Sequence, residues 1–130
     1  MKMSRTLFLW SLFSLIGTFE SLAQDVQLLP VQIFDAKLKE WPVHILLDVR
    51  TEDEFRQGHL PGAKSLNYYS DDFKAQLAKL DKDKPVLVYC AVGGRSRATT
   101  GMLASLGFKK VYDLEGGIRA WSASHKPIVK

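Results

Sequence analysis

The residue with the most chemistry in this chain is its single cysteine. It stands in the run Val86-Leu87-Val88-Tyr89-Cys90-Ala91-Val92-Gly93-Gly94-Arg95-Ser96. Four apolar residues with strand character lead directly into the thiol, and parallel sheets place their ligand sites beyond the carboxyl ends of such strands. Gly93 and Gly94 let successive backbone N–H groups turn inward and form an anion-binding concavity. A helix opening at Ser96 aims its positive end at the same point, and Arg95 adds a cation. Each of these lowers the pKa of the thiol, and the thiolate is the nucleophile. A free cysteine standing alone is more often a small inert hydrophobe. Strand, thiol, paired glycines, arginine and helix start together predict a catalytic Cys90, with the substrate held by Ala91, Val92, Gly93, Gly94, Arg95 and Ser96.

The elements that must position this loop follow from apolar spacing. Val26–Leu29 reads as an edge strand. Pro30 suits the start of a helix to about Lys39, with Val31, Phe34 and Leu38 on one stripe. His44–Val49 and Val86–Tyr89 are nearly continuous apolar runs, the pattern of strands buried on both faces. Thr51 with Glu54 three residues on makes a capping box. Gly58–Gly62 is turn-rich and precedes a short strand near Ala63–Leu66. A helix from Ser70 carries Phe73, Leu77 and Leu80. The helix after the cysteine is expected from Ser96, with Ala98, Met102, Leu103 and Leu106 facing inward and Gly107 as its stop. Lys110–Leu114 is a strand, Glu115–Gly117 a turn, and Ile118–Ser124 the last helix. Short buried strands alternating with helices predict an α/β fold, a central parallel sheet with helices on both faces.

Three blocks of this chain resemble the rhodanese homology domain. Leu47-Asp48-Val49-Arg50, Glu54-Phe55 and Gly58-His59-Leu60-Pro61-Gly62-Ala63 are similar to the family's first signature; Cys90 through Ser96 to its active-site loop; Leu114-Glu115-Gly116-Gly117-Ile118-Arg119-Ala120-Trp121 to its C-terminal signature. The resemblance implies a three-layer rhodanese-like fold over residues 24–130 and sulfurtransferase chemistry. Cys90 would take a sulfane sulfur from thiosulfate or a persulfide donor as its own persulfide, then pass it to cyanide or a thiol. The N–H groups from Val92 to Ser96 would hold the persulfide's charge and Arg95 the leaving sulfite. The implied partners are a small anionic sulfur donor, a thiol or cyanide acceptor and a sulfur-accepting protein, with no cofactor and no metal. The position after the cysteine, often basic in that family, is Ala91, followed by apolar Val92, which favours a less charged donor. The other reading is a sulfur carrier or binding module without turnover. Phosphatases and arsenate reductases of related fold need Cys-x5-Arg, whereas Cys90 and Arg95 have four residues between them and Tyr89 stands in place of the usual histidine.

Other residues read more simply. His59 pins its turn by hydrogen bonding rather than acting as a base, since a thiolate stabilised by its loop needs none. Asp48 and Arg50 tie the end of their strand to neighbouring loops, Glu54 caps its helix, and Trp41 and Trp121 pack.

Composition narrows the remaining possibilities. The chain has 130 residues, 18 basic against 14 acidic, 46% hydrophobic and 25% charged, a globular balance of one-domain length. One cysteine forms no disulfide within the chain, and with three histidines it offers little for a metal. Lys2 and Arg5, an uncharged apolar run from Thr6 to Phe19, and Ser21-Leu22-Ala23 make the three-part pattern of a secretory signal peptide over residues 1–23. That run is short of the ~20 residues a membrane-spanning helix needs. The expectation is therefore a periplasmic or secreted protein with no membrane attachment after cleavage. Residues 24–130 carry a net charge of +3, with basic and acidic residues intermixed, so nucleic acid is not expected as a partner.

Overall fold

The computed structural model describes residues 23–130; the expected signal peptide lies almost wholly outside them. Five parallel strands form one sheet in the order β1-β5-β4-β2-β3, with β1 Asp25–Leu29, β2 Ile45–Asp48, β3 Lys64–Ser65, β4 Val86–Tyr89 and β5 Lys110–Leu114. The α/β class and the parallel sheet agree with the sequence reading, and β1 is at an edge as expected. The central strand β4 pairs Val86, Leu87 and Val88 with Val111, Tyr112 and Asp113 of β5 on one side and Ile45–Asp48 of β2 on the other. All four β4 residues are fully buried, because both faces of the sheet are covered.

Alternation of side chains along the strands sorts the core into two layers. On one face Leu47, Val86, Val88, Cys90 and Val111 pack with Phe73 and Leu77 of helix α3 (Phe73–Ala78) and Leu103 of α4 (Gly94–Ser105). On the other, Leu46, Leu87, Tyr89, Tyr112 and Leu114 pack with Val31 and Phe34 of α1 (Val31–Glu40) and Trp121 of α5 (Gly117–Ala123). Helix α2 (Glu52–Gln57) buries none of its side chains and is held by its ends: the Thr51–Glu54 capping box is complete. Among the described residues no helix is long and apolar enough to cross a membrane.

Two elements differ from expectation. Helix α3 begins at Phe73, since Ser70–Asp72 form a turn whose Ser70 carbonyl accepts from Phe73 N. Helix α4 begins at Gly94, and its buried face is Ser96, Thr99, Thr100 and Leu103, while Ala98 is exposed and Met102 and Leu106 are only partly covered. The sequence reading misplaced that stripe because it counted only apolar residues. Thr99 and Thr100 donate their hydroxyls to the carbonyls of Arg95 and Arg97, which lets a polar side chain turn inward without losing a hydrogen bond.

Candidate active site

Cys90 follows β4 directly, at the carboxyl end of the central strand, with only 1% of its surface exposed. Beyond it the chain turns so that Gly93 N donates to Cys90 Sγ at 3.1 Å. That turn needs φ = +130° at Gly93, the residue before α4, a conformation closed to residues with a Cβ. Ser96, fully buried, sits with Oγ 3.4 Å from Sγ and 3.2 Å from the Gly93 carbonyl oxygen. Burial pushes the thiol up. It is outweighed by the Ser96 hydroxyl and the backbone N–H groups of Ser96, Gly93 and Val92, and the thiol titrates below its ordinary value of 9.0. Of the amides from which the two glycines were expected to build a cradle, Gly93 N hydrogen-bonds the sulfur, and the Ser96 hydroxyl lies beside it.

The loop is held from behind by a feature the sequence reading passed over as a turn. Ile118 N donates to the Cys90 carbonyl at 2.9 Å and Arg119 N to the Ala91 carbonyl at 3.2 Å. The free N–H groups opening α5 thus bind the loop's carbonyls on one side, which leaves the following amides to face sulfur on the other. Close approach is the condition for this: a Cβ on Gly117, whose φ is +59°, would lie 2.5 Å from both carbonyl oxygens. The Gly116-Gly117 pair before the last helix was the visible signal, legible once α5 is placed beneath the loop.

Arg95 is positioned differently from expectation. Its guanidinium grips Glu54 through Nη1–Oε1 at 2.7 Å and Nη2–Oε2 at 3.0 Å and lies over the exposed Tyr69 ring. The side chain assigned to the leaving anion is already committed to a carboxylate, because Glu54 on α2 comes within bidentate reach when α2 packs beside the loop. Glu54 accordingly does more than cap: the Arg95 hydrogen bonds, set against partial burial, hold its carboxyl at about 2. Of the other loop residues, Ala91 is half-buried and lines a depression of about 420 Å³ with Arg50, Glu54, Ile118 and Arg119, Val92 is 56% exposed at the mouth, and Gly94 opens α4.

The first signature's residues form the frame around this loop. Arg50 donates through Nε and Nη2 to Asp48, and through Nη2 to the Gly58 carbonyl. Tyr89, the residue before the cysteine, donates its hydroxyl to Asp48 Oδ2 at 2.6 Å and accepts from Leu60 N at 3.1 Å. His59 stacks on Phe55 and bonds the Phe55 carbonyl through Nδ1, whereas the hydrogen bonds at Cys90 Sγ are to Gly93 and Ser96. Its pinning role is the one the structure displays.

The chain matches the rhodanese-like domain family over residues 31–124, and it belongs to that family. It is 38% identical over 81 residues to the thiosulfate sulfurtransferase GlpE of Coxiella burnetii, covering 62% of this chain and 74% of that one. A sulfurtransferase of Allochromatium vinosum is 35% identical over 85 residues, covering 65% and 78%. Among solved structures, a rhodanese-related protein from Thermoplasma volcanium superposes with a TM-score of 0.70 at 27% identity, covering 79% of this chain and 97% of that one.

Proposed function

We propose that this protein is a sulfurtransferase that carries sulfur on Cys90. The observation that carries the reading is the hydrogen bond from Gly93 N to Cys90 Sγ at 3.1 Å, with Ser96 Oγ 3.4 Å from the same sulfur, beyond the end of the central strand. In the first step the Cys90 thiolate attacks the outer sulfur of the donor. The Sγ–S bond forms as the donor's own bond to that sulfur breaks, and the electron pair departs on the leaving group, sulfite in the case of thiosulfate. In the second step cyanide or a thiolate attacks the outer sulfur, the Sγ–S bond breaks, and its electron pair returns to Sγ. The thiolate is both nucleophile and leaving group, and the same donors serve it in both roles.

The names of the relatives favour thiosulfate as donor; the mouth of this site favours a less charged one. With Arg95 paired to Glu54 and Ala91 and Val92 apolar, the residues that follow the cysteine offer a dianion no unpaired side-chain cation before Arg97, and Arg119 is the exposed cation lining the depression beside Ala91. We take an organic persulfide or a persulfide on a partner protein as the donor that suits it best. The chain would do this outside the cytoplasm after cleavage behind Ala23. Incubation with a donor followed by mass measurement tests the central reading: the protein should gain one sulfur, Cys90→Ser should gain none, and release by cyanide or glutathione distinguishes turnover from storage. No uptake from thiosulfate or from an organic persulfide would end the proposal. Mass measurement of the exported protein tests the cleavage site.

A further inference from the structure

The Cys90 thiol is 1% exposed, so a donor can offer it little more than a terminal sulfur while the body of the molecule rests on the surface beside the loop. That surface holds the depression of about 420 Å³ that Ala91 lines, within the size range of small-molecule sites. Two of the three charged side chains that line it, Arg50, Glu54 and Arg119, are already matched. Arg50 is bonded to Asp48, and both oxygens of Glu54 are taken by Arg95. Arg119 is exposed and has no ion pair among the described residues. Arg97, the cation that follows Arg95 on α4, does not line the depression.

Arg119 is placed by the loop it borders. Its backbone N–H donates to the Ala91 carbonyl at 3.2 Å, which fixes the root of its side chain beside the residue that follows the thiol. The apolar part of the lining is Ile118 of α5 and Ile128 of the tail beyond that helix. Hydrogen bonds hold the tail in place: Trp121 Nε1 donates to the Pro127 carbonyl at 2.9 Å, and Val129 and His59 exchange both of their backbone bonds at 2.9 Å. Ile128 packs so closely on Gly58 that a Cβ at Gly58 would lie 2.9 Å from Ile128 Cγ2. The match to the family ends at residue 124, so Ile128 adds to the site from outside the matched span.

We propose that this depression seats the body of an organic persulfide that ends in a carboxylate, with Arg119 selecting for the carboxylate and Ile118 and Ile128 packing against the carbon chain between carboxylate and sulfur. A guanidinium holds a carboxylate through paired hydrogen bonds. One unpaired cation beside apolar side chains suits a single anionic group at the end of a short apolar body. It suits thiosulfate less, since that donor has no apolar body and its charge adjoins the sulfur that is transferred. The transfer itself is that of the Cys90 reading, on which this proposal rests. The Sγ–S bond forms, the donor's S–S bond breaks, and the electron pair leaves on the carboxylate-bearing thiolate. Arg119 sets which donor is held, and so acts on affinity rather than on the limiting rate.

Two probes isolate the carboxylate: the persulfide of 3-mercaptopropionate and the persulfide of its amide, which differ in that group alone. Sulfur uptake by the protein, followed by mass in single turnovers, gives a limiting rate and a half-saturating concentration for each. Wild type should half-saturate with the acid at about fivefold lower concentration than with the amide, the scale of an exposed charge pair. The limiting rates should agree, and about 0.5 M salt should erase most of the difference in affinity. In Arg119→Gln the ratio between the probes should fall to about one, and Arg119→Lys should restore about twofold, as a point charge without the paired donors. Arg97→Gln should keep the wild-type ratio. Equal affinity for the two probes in wild type, or a ratio that survives in Arg119→Gln, would overturn the proposal while leaving sulfur uptake at Cys90 in place. No uptake from either probe or from thiosulfate would instead remove the sulfurtransferase reading, and this donor seat with it.

Discussion

Glu54 Oε1 and Oε2 each accept a hydrogen bond from Arg95, at 2.7 and 3.0 Å, so the one arginine of the cysteine loop is clamped by a carboxylate from a different helix. The pair fixes the start of α4 against α2. It also withholds from the substrate the cation that sequence reasoning assigns to it. Glu54→Gln separates these effects, since glutamine still completes a capping box while the ion pair is lost. Activity with thiosulfate should rise, with kcat/KM up about fivefold, roughly 1 kcal/mol of transition-state stabilisation. An unchanged or lower kcat/KM would mean that Arg95 serves better clamped than free.

The same pair predicts an acid dependence of stability. The Glu54 carboxyl is held at about 2 against an ordinary 4.5, chiefly by Arg95. A carboxyl with a depressed folded-state pKa stabilises the fold fully above its unfolded value and loses that contribution as pH falls toward the folded one. Wild type should therefore lose stability relative to Glu54→Gln as pH falls from about 4.5 to about 2. Because the pair is partly exposed, screening limits the difference to about 1 kcal/mol or less. Urea unfolding of both proteins across that range reads it directly.

Gly117→Ala should disable the site from behind. Its Cβ would meet the Cys90 and Ala91 carbonyl oxygens at 2.5 Å, at a backbone φ of +59°. Backbone cannot yield as a flexible side chain would, so the loop or α5 must move. Overpacking of this kind costs about 1–3 kcal/mol, and displacement of the amides should slow Cys90 alkylation about tenfold or more at neutral pH. Thermal unfolding and alkylation measured together would reveal whether both changes occur; alkylation at the wild-type rate would show that the α5 contact does not set the loop.

Tyr89→Phe addresses the frame rather than the chemistry. The hydroxyl donates to Asp48 Oδ2 and accepts from Leu60 N inside the core, and its removal leaves buried Leu60 N without that partner, at about 1–3 kcal/mol, while Arg50 still serves Asp48 Oδ2. The amides around Cys90 are untouched. Chemical denaturation should show the loss while sulfur uptake per folded molecule stays within about twofold.

The sheet and most of the site's frame were legible because their signals are local. Continuous apolar runs such as Val86–Tyr89 mark strands buried on both faces, Thr51 with Glu54 marks a cap, and the position of Cys90 at a strand end follows at once. What could not be read depends on how separated segments meet. Glu54 and Arg95 are 41 residues apart, and their pairing appears only when α2 lies beside the loop. The support of the loop by Ile118 and Arg119 N–H groups likewise requires α5 to sit under the cysteine. The inward face of α4 was hidden for another reason: Ser96, Thr99 and Thr100 look solvated until their backbone hydrogen bonds are seen.

The most direct measurement is the pKa of the Cys90 thiol, read from the pH dependence of its thiolate ultraviolet absorbance with Cys90→Ser as the blank. If the Gly93 amide and the Ser96 hydroxyl act on sulfur as the geometry shows, half-ionisation falls below the ordinary value of 9.0. A thiol that ionises at or above that value would contradict the account, because burial would then have prevailed over the amides and no nucleophile would stand at the strand's end.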